Sequence, residues 1–412
     1  MDKFGLIGKT LKHSYSKKIH ALLGEYSYDL YEIQSDQLNS FVDSGAIKGL
    51  NVTIPYKKDI MPFLDRIDSR AQSIGAVNTV VVSGGVKTGY NTDFDGMVYM
   101  LNRAKISVEN KSVLILGSGG TSNTARAVCS YLGAKNIKIL SRSGEINYDN
   151  YKEKAKECEV ILNTTPVGTF PDNYSCNIDL TKFKSLSGVA DVVYNPSLTV
   201  LLNQARKLSV KHTNGLPMLV AQAKYAKDLF FGQKTDDSII ERIIRAIEKQ
   251  TTNIVLIGMP GSGKTSVGKT LAEQLEREFI DLDQEIVKKD GRDIPTIFSE
   301  NGEEYFRELE RQVVREVGAL TGKIIATGGG VIKNEENYFP LKQNGLIVWI
   351  DRKVESLAMN GRPLSKDLSA VQKLYAERKN LYENFADVKI DNNGSIDTAV
   401  KGVKDIYENF GN

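Results

Sequence analysis

The residues Gly258-Met259-Pro260-Gly261-Ser262-Gly263-Lys264-Thr265 put a glycine-rich turn, an ammonium and a hydroxyl in the order G-x-x-x-x-G-K-[ST]. The pattern follows a β-rich run at 254–257 and precedes a helix-period segment at 266–277, the context that gives it meaning. Backbone N–H groups of the turn, shaped by Gly258, Gly261 and Gly263, and of the helix start would surround phosphate oxygens. Lys264 would bring a cation to the β and γ groups, and Thr265 would ligate Mg²⁺. ATP and Mg²⁺ are therefore expected here. A chance glycine-rich turn is the alternative, and the flanking strand and helix weigh against it.

A phosphate loop names the cofactor and leaves the acceptor open. Phe279-Ile280-Asp281-Leu282-Asp283 sets two carboxylates at i and i+2, expected on a strand end and on one face. One would hold Mg²⁺ through water and the other would accept a hydrogen bond from an attacking hydroxyl, unless the segment is simply a solvated acidic loop. Further along come Gly302-Glu303, Phe306-Arg307-Glu308-Leu309-Glu310 and, after a run at 324–326, Gly328-Gly329-Gly330. Three consecutive glycines let the backbone approach a ligand closely. Arginine is the natural bidentate partner of a planar carboxylate, although any single arginine, taken alone, reads better as a surface ion pair.

The first half carries a second constellation. His13-Ser14-Tyr15-Ser16-Lys17 offers two hydroxyls at i and i+2, suited to paired donation to a carboxylate; alone, the segment reads first as an ordinary serine turn. Gly49-Leu50-Asn51-Val52-Thr53-Ile54-Pro55-Tyr56-Lys57 groups an amide, a hydroxyl and an ammonium around a strand pattern. A lysine there becomes a proton donor if its pKa is lowered, whereas most lysines are solvated. Gly75-Ala76-Val77-Asn78-Thr79 and Gly89-Tyr90-Asn91-Thr92-Asp93 add further amides, hydroxyls and a carboxylate, a set that fits a polyhydroxylated acid. A run at 113–116 leads into Gly117-Ser118-Gly119-Gly120-Thr121-Ser122, a dinucleotide fingerprint with Ser122 in place of the third glycine. The next run ends in Ser141-Arg142-Ser143; an arginine there accommodates a 2′-phosphate, so NADP is favoured over NAD. Met218 and Gln222 stand at i and i+4, so a helix would present both to one cleft or to a buried core.

Elements must hold these groups in place. Short β-rich runs at 113–116, 137–140, 160–163 and 189–193, then at 254–257, 324–326 and 346–350, alternate with charged segments of helical period. That is the rhythm of an α/β fold with parallel sheets. Residues 236–249 place Ile239, Ile240, Ile243, Ile244 and Ile247 on one helical face, and a polar linker, 250–252, is expected next. The second domain is then 253–412. The first, 1–249, is large enough for two lobes, the strand-rich stretch over 1–89 and the region opening at Val113.

Composition narrows the function classes. Lys+Arg 54 against Asp+Glu 51 leaves +3, too small a surplus in 412 residues for phosphate-backbone binding to be the main activity, so no nucleic-acid partner is expected. Cys129, Cys158 and Cys176 are too scattered for a disulfide framework or a thiolate metal cage, and a reducing cytoplasm fits best. The N-terminus shows no secretory pattern, and the longest apolar runs are of strand length, so no membrane span is expected.

Taken together, the segments of the second half resemble shikimate kinase, a P-loop kinase of the nucleoside-monophosphate-kinase type, over 253–412. The resemblance implies that Asp283 contacts the reacting hydroxyl of shikimate, that Arg307 and Arg378 grip its carboxylate, that Gly329 and Gly330 line the pocket and that Asp281 sits near Mg²⁺. Arg362, in Gly361-Arg362-Pro363-Leu364, matches the lid arginine that reaches ATP phosphates; the stretch before it is shorter than many family lids and lacks a further arginine. The first half is similar to shikimate dehydrogenase, with later support from Asn163-Thr164-Thr165-Pro166-Val167-Gly168, Asp191-Val192-Val193-Tyr194-Asn195-Pro196 and the segment from Gly215 to Gln222. That resemblance implies that Ser14, Ser16, Asn51, Thr53, Asn78, Asp93 and Gln222 bind substrate, that Lys57 and Asp93 form the catalytic pair and that Met218 lies against the nicotinamide. Thr10 and Lys17 stand where that family usually has proline. It also implies an α/β substrate lobe over 1 to about 100, a Rossmann-like NADP lobe from about 101 to 215 and last helices that return to the substrate lobe. Jointly the resemblances imply these two lobes, then a P-loop domain, reducing 3-dehydroshikimate to shikimate and phosphorylating it to shikimate 3-phosphate. The alternatives are a non-catalytic sensor that kept both folds, which would be expected to lose Lys57 or Lys264, and a first site that prefers quinate and NAD.

Overall fold

Runs of Val, Ile and Leu become strands, and the charged segments between them become helices, in the computed structural model, which describes residues 3–11, 14–44, 47–357 and 368–409. The chain divides into two compact units, Met1–Ile244 and Arg245–Asn412. The division falls inside a helix, Ser238–Thr251. Residues 250–252 therefore differ from a linker: Gln250 and Thr251 complete the helix, and Thr251 turns its hydroxyl back onto the Ile247 carbonyl at 2.9 Å.

In the first unit, β1 (Lys3–Gly8), β2 (Tyr28–Glu32), β3 (Ile47–Val52), β4 (Arg66–Ile67), β5 (Thr79–Ser83) and β6 (Val86–Tyr90) form one sheet, in the order β2-β1-β3-β5-β6-β4. Parallel pairing was expected, and β1 does lie parallel to β2 and β3, but β5 runs antiparallel to β3 and β6. The cause is the turn Gly84-Gly85, whose φ angles of 56° and 80° are the left-handed pair that a two-residue hairpin requires. This hairpin sets Thr79 opposite Tyr90, so the motifs around Asn78 and Asp93 meet at one end of the sheet.

The second sheet of this unit comprises β7 (Ser112–Leu116), β8 (Asn136–Leu140), β9 (Val160–Asn163), β10 (Gly188–Asp191) and β11 (Lys211–Thr213). All pairs are parallel, in the order β11-β10-β9-β7-β8. β10 stops two residues short of the expected 193, because the Asp191 carboxylate accepts from the Val193 N–H at 3.0 Å and closes the backbone into a turn. Connections leave β7 and β9 in opposite directions, and ligands bind at such switch points, outside the carboxyl ends of the strands.

The second unit has one parallel sheet, β13-β14-β12-β15-β16, from β12 (Asn253–Ile257), β13 (Phe279–Asp281), β14 (Ile324–Ala326), β15 (Gly345–Asp351) and β16 (Val388–Asp391). Both faces are covered, which is why β12 reads as an uninterrupted apolar run. Val255, Ile257, Ile325, Ile347 and Trp349 pack with Phe306, Leu309 and Val313 of the helix Ile294–Gly318; Ile254, Leu256, Leu346 and Val348 pack with Val267, Leu271, Val400 and Val403 on the other face. The switch point here lies between β12 and β14, where the phosphate loop and the triple glycine emerge. The helix expected at 266–277 spans Lys264–Leu275 instead: Gly263, at φ 94°, ends the loop immediately before it. Among the described residues, no helix is long and apolar enough to cross a membrane.

Candidate active sites

Lys57 follows β3 in a turn, and Asp93 lies in the first turn of the helix Thr92–Arg103, whose N-cap, Asn91, accepts from the Phe94 N–H at 3.2 Å. Lys57 Nζ stands 2.6 Å from Asp93 Oδ2, with the side chains 19% and 10% exposed, shielded enough to escape most solvent screening. The helix N-terminus adds a favourable partial charge beside the carboxylate.

A cluster of amides adjoins this pair through Thr92, the residue before Asp93. Asn78 Oδ1 accepts from the Thr92 N–H at 2.7 Å, and its Nδ2 donates to Thr92 Oγ1 at 3.1 Å and reaches Gln222 Oε1 at 3.5 Å. Asn51, buried on β3, donates from Nδ2 to Thr79 Oγ1 at 3.2 Å. Thr53 donates its N–H to the Ile7 carbonyl at 3.0 Å. Ser14 Oγ accepts from the Ser16 N–H at 3.2 Å, the serine turn foreseen as the ordinary reading; this occupies an acceptor site and leaves the hydroxyl proton able to donate. Ser16 opens the helix Ser16–Leu23 and is buried.

Gln222 and Met218 share the helix Leu216–Phe231. Met218 is buried in a cluster with Ile74, Phe94 and Met97. This helix lies close to Thr92–Arg103 because residue 96 is glycine: a Cβ there would stand 2.7 Å from the Met218 carbonyl and 3.0 Å from Gln222 Cβ.

At the carboxyl edge of the second sheet, Gly117 has φ 106°, and a Cβ on it would meet Thr165 at 2.9 Å and Thr164 at 3.0 Å. Gly119 caps the helix Gly120–Tyr131, and a Cβ on Gly119 or Gly120 would meet nothing within 4 Å. Open space above a helix N-terminus suits a diphosphate. Arg142 is exposed two residues beyond Leu140, whose carbonyl accepts from the Gly117 N–H at 2.8 Å, so the two loops lie side by side. Asp191 is fully buried, accepting from Asn163 Nδ2 and Thr199 Oγ1, each at 2.8 Å; burial pushes its carboxyl up to about 6, against the pull of these donors.

In the second unit, Gly258 and Gly263 are forced by their neighbours as well as by positive φ: a Cβ would stand 2.4 Å from the Ile350 carbonyl at the first and 2.5 Å from Asn392 Nδ2 at the second. Gly261 also has positive φ, 84°. Lys264 Nζ donates to the Gly258 and Met259 carbonyls at 2.8 and 2.9 Å. Thr265 Oγ1 donates to Asp281 Oδ2 at 3.1 Å, a hydroxyl–carboxylate pair of the hard-oxygen type that Mg²⁺ takes alongside phosphates and waters.

The arrangement of Asp281 and Asp283 corrects the expectation of a shared strand face. Only Asp281 ends the strand; its Oδ1 accepts from the Asp283 N–H at 3.1 Å and caps the helix Leu282–Asp290, in which Asp283 occupies the first turn. Capping competes with strand continuation, and the cap prevails. Asp283 still faces the triple glycine, since a Cβ on Gly328 would stand 2.7 Å from its Oδ1. Arg307 donates to Glu310 Oε2 at 2.8 Å and to Glu303 Oε1 at 3.2 Å, and a Cβ on Gly330 would clash with its guanidinium at 2.6 Å. Arg378, buried, donates to the Gly329 carbonyl at 2.8 Å. The elements thus bring together Lys264, Thr265, Asp281, Asp283, Arg307, Gly329, Gly330 and Arg378, while Arg362 lies outside the described residues.

Known protein families match both parts of the chain. Residues 6–80 match the family model of the shikimate dehydrogenase substrate binding domain. A shikimate dehydrogenase (NADP(+)) from Clostridium perfringens (strain 13 / Type A) is 37% identical over 271 residues, covering 60% of this chain and 99% of that protein. The chain belongs to the shikimate dehydrogenase family. A shikimate kinase domain follows in the same polypeptide, with a match to that family model over 260–408. Among solved structures, a chorismate mutase/shikimate 5-dehydrogenase fusion protein from Clostridium acetobutylicum has a TM-score of 0.58 and 34% identity, over 60% of this chain and 97% of that one. Shikimate 5-dehydrogenase from Thermus thermophilus, in complex with NADP(H) and shikimate, has a TM-score of 0.55 and 29% identity, over 60% and 99%.

Several residues of these sites escaped sequence reasoning. In the shikimate dehydrogenase unit, Gly96 sets the helix spacing, and its only signal was a glycine inside a helical pattern; Thr79 and Thr92, the hydroxyls already read beside Asn78 and Asp93, tie the amides together. Tyr15 and Tyr194 pack at 5.2 Å between ring centroids, and burial pushes the Tyr194 phenol up to about 12. In the shikimate kinase unit, Tyr382 donates to the Gly329 carbonyl at 2.7 Å, and Asn392 donates to the Ser262 carbonyl at 2.7 Å across the loop. Glu310 is buried beside Arg307 and Asp283; burial raises its carboxyl, and the guanidinium opposes the rise.

Proposed function

We propose that the chain carries out two consecutive reactions, reduction of 3-dehydroshikimate to shikimate in the region 1–249 and phosphorylation of shikimate to shikimate 3-phosphate in 253–412. What carries the reading is that one polypeptide holds both a shielded Lys57–Asp93 pair with an amide cluster on the adjoining Thr92 and a phosphate loop beside the Thr265–Asp281 pair. In the first site, Lys57 gives its proton to the alkoxide that develops at the ketone oxygen, and Asp93 holds the ammonium in place. General-acid help of this kind is worth about 10²–10⁴-fold. The Ser14 and Ser16 hydroxyls hold the carboxylate, while Asn51, Thr53, Asn78 and Gln222 bind the ring hydroxyls. NADPH supplies the hydride when bound; Gly117, Gly119 and Gly120 leave room for its diphosphate, Arg142 suits its 2′-phosphate and Met218 its nicotinamide.

In the second site, Arg307 and Arg378 grip the carboxylate, Gly329 and Gly330 admit the ring, and Asp283 accepts the proton of the hydroxyl that attacks. ATP supplies the phosphoryl group and Mg²⁺ neutralises its charge; Lys264 and Arg362 would hold phosphate oxygens, and Thr265 and Asp281 the metal. The partners are small molecules, with neither nucleic acid nor membrane, and the compartment is the cytoplasm, in keeping with three free cysteines. The test is NADPH oxidation and ADP release on dehydroshikimate, in Lys57→Ala and Lys264→Ala chains. Lys57→Ala should lose NADPH oxidation roughly 10²–10⁴-fold in kcat and keep ADP release on added shikimate; Lys264→Ala should do the reverse. Loss of both activities in either chain, or of neither, overturns the assignment.

A further inference from the structure

We propose that Tyr28 is a positioning residue of the dehydrogenase site: its buried hydroxyl terminates a directed chain of hydrogen bonds that fixes which end of each substrate-facing amide points at the ligand. The inference rests on the reading above, in which Asn51, Asn78 and Gln222 bind substrate.

The two ends of a carboxamide differ only in what they hydrogen-bond, so each of these amides is oriented by its neighbours. The backbone partners in the cluster have no freedom. The Thr92 backbone N–H can only donate, and it donates to Asn78 Oδ1 at 2.7 Å. That fixes Asn78, whose Nδ2 then faces Gln222 Oε1 at 3.5 Å; Gln222 accordingly sends its Nε2 to the Leu219 carbonyl at 2.9 Å. Asn51 is oriented in turn by the Asn78 backbone carbonyl, which can only accept and takes Asn51 Nδ2 at 3.4 Å; Asn51 Nδ2 also donates to Thr79 Oγ1 at 3.2 Å, which lies 3.1 Å from both Asn78 Oδ1 and Thr92 Oγ1. Asn51 Oδ1 is left at the far end. The Tyr28 hydroxyl meets it at 2.8 Å, reaching from β2 across β1 to β3.

The phenol is well placed to donate permanently. Tyr28 is buried, and burial raises its pKa well above the ordinary value, so it keeps its proton. Its ring is clamped by His20, stacked at 3.7 Å between centroids and 8° between planes; His20 Nδ1 lies 2.6 Å from the Tyr26 hydroxyl. Burial pushes His20 down to about 3, so it stacks as a neutral ring. His20 is one helical turn beyond Ser16 on the helix Ser16–Leu23, so the same stack anchors the element that carries a carboxylate-binding hydroxyl.

Tyr28→Phe keeps the ring and removes the donor. In the full chain, the KM for dehydroshikimate should rise about three- to tenfold, the range set by one buried hydrogen bond, with the KM for NADPH and the kinase rate on added shikimate unchanged. Asn51→Ala should raise the same KM, and the double variant should add nothing to it, since the chain acts through Asn51. If Tyr28→Phe does not yield folded enzyme, Thr79→Val cuts the next link and reads the same effect. If Asn51→Ala leaves the KM alone, the substrate site itself has been misread. If Asn51→Ala raises it while Tyr28→Phe does not, or the two effects simply add, Tyr28 has no positioning role.

Discussion

Asp191 shows how a single buried carboxyl marks a pH profile. Its pKa stands at about 6 in the folded chain, against an ordinary 3.8, because burial outweighs the donors from Asn163, Thr199 and Val193. Between those values the folded chain keeps a proton that the unfolded chain has released. Stability therefore falls as pH rises from about 4 to 6 and levels off above, by roughly 3 kcal/mol at most. Thermal midpoints of the wild type and Asp191→Asn from pH 4 to 7 check this: the variant should gain on the wild type as pH rises, and a difference flat in pH would refute it. Residues like this one separate what was legible in the sequence from what was not. Lys264 and Thr265 could be read because adjacent glycines state their purpose. Lys57 and Asp93 came from resemblance to a family, since nothing local pairs residues 36 apart. Tyr28, Tyr382 and Asn392 were invisible: each acts on a backbone or amide group far along the chain, and a tyrosine in a strand or helix, or an asparagine just past a strand, carries no mark of its partner.

At the level of elements, the helices Thr92–Arg103 and Leu216–Phe231 carry Asp93 and Gln222, and Gly96 sets how closely they approach. Alanine in an exposed helix interior is usually about 1 kcal/mol more favourable than glycine. Here the added methyl meets a carbonyl at 2.7 Å, so overpacking, at about 1–3 kcal/mol, decides the sign. Gly96→Ala should lower the urea midpoint and raise the KM for dehydroshikimate as Gln222 is displaced; a stabilised variant would mean that the helices part without strain. Inner parallel strands such as β7, β9, β12 and β15 were legible because strands covered on both faces read as plain apolar runs. Two features were not. The antiparallel β5–β6 hairpin depends on two glycines that also suit a loop, and the start of the helix at Leu282 depends on the Asp281 cap, which a strand-period reading passes over.

At the scale of the whole molecule, two glycine-rich loops, each behind its own strand, had already announced two sites, and the chain does divide into two compact units. The exact division was less legible, because the isoleucine face of the helix Ser238–Thr251 continues past it. Joining a site that makes shikimate to one that consumes it predicts a raised local concentration for the second. At equal numbers of active sites, the wild-type chain should show a shorter lag in ADP release than a mixture of Lys57→Ala and Lys264→Ala chains. Equal lags would mean that the product equilibrates with bulk solution before it is used.

The Gly84-Gly85 turn touches no ligand, yet it folds one pass of backbone against the next so that Asn78 and Asp93, carried on different passes, arrive at the same pocket. Lengthening either strand by one residue would turn its side chains over and empty the pocket of half its groups. The tip itself is exposed and free of that constraint. It is therefore a place where this chain can be extended, tagged or opened to new ends while both chemistries stay whole.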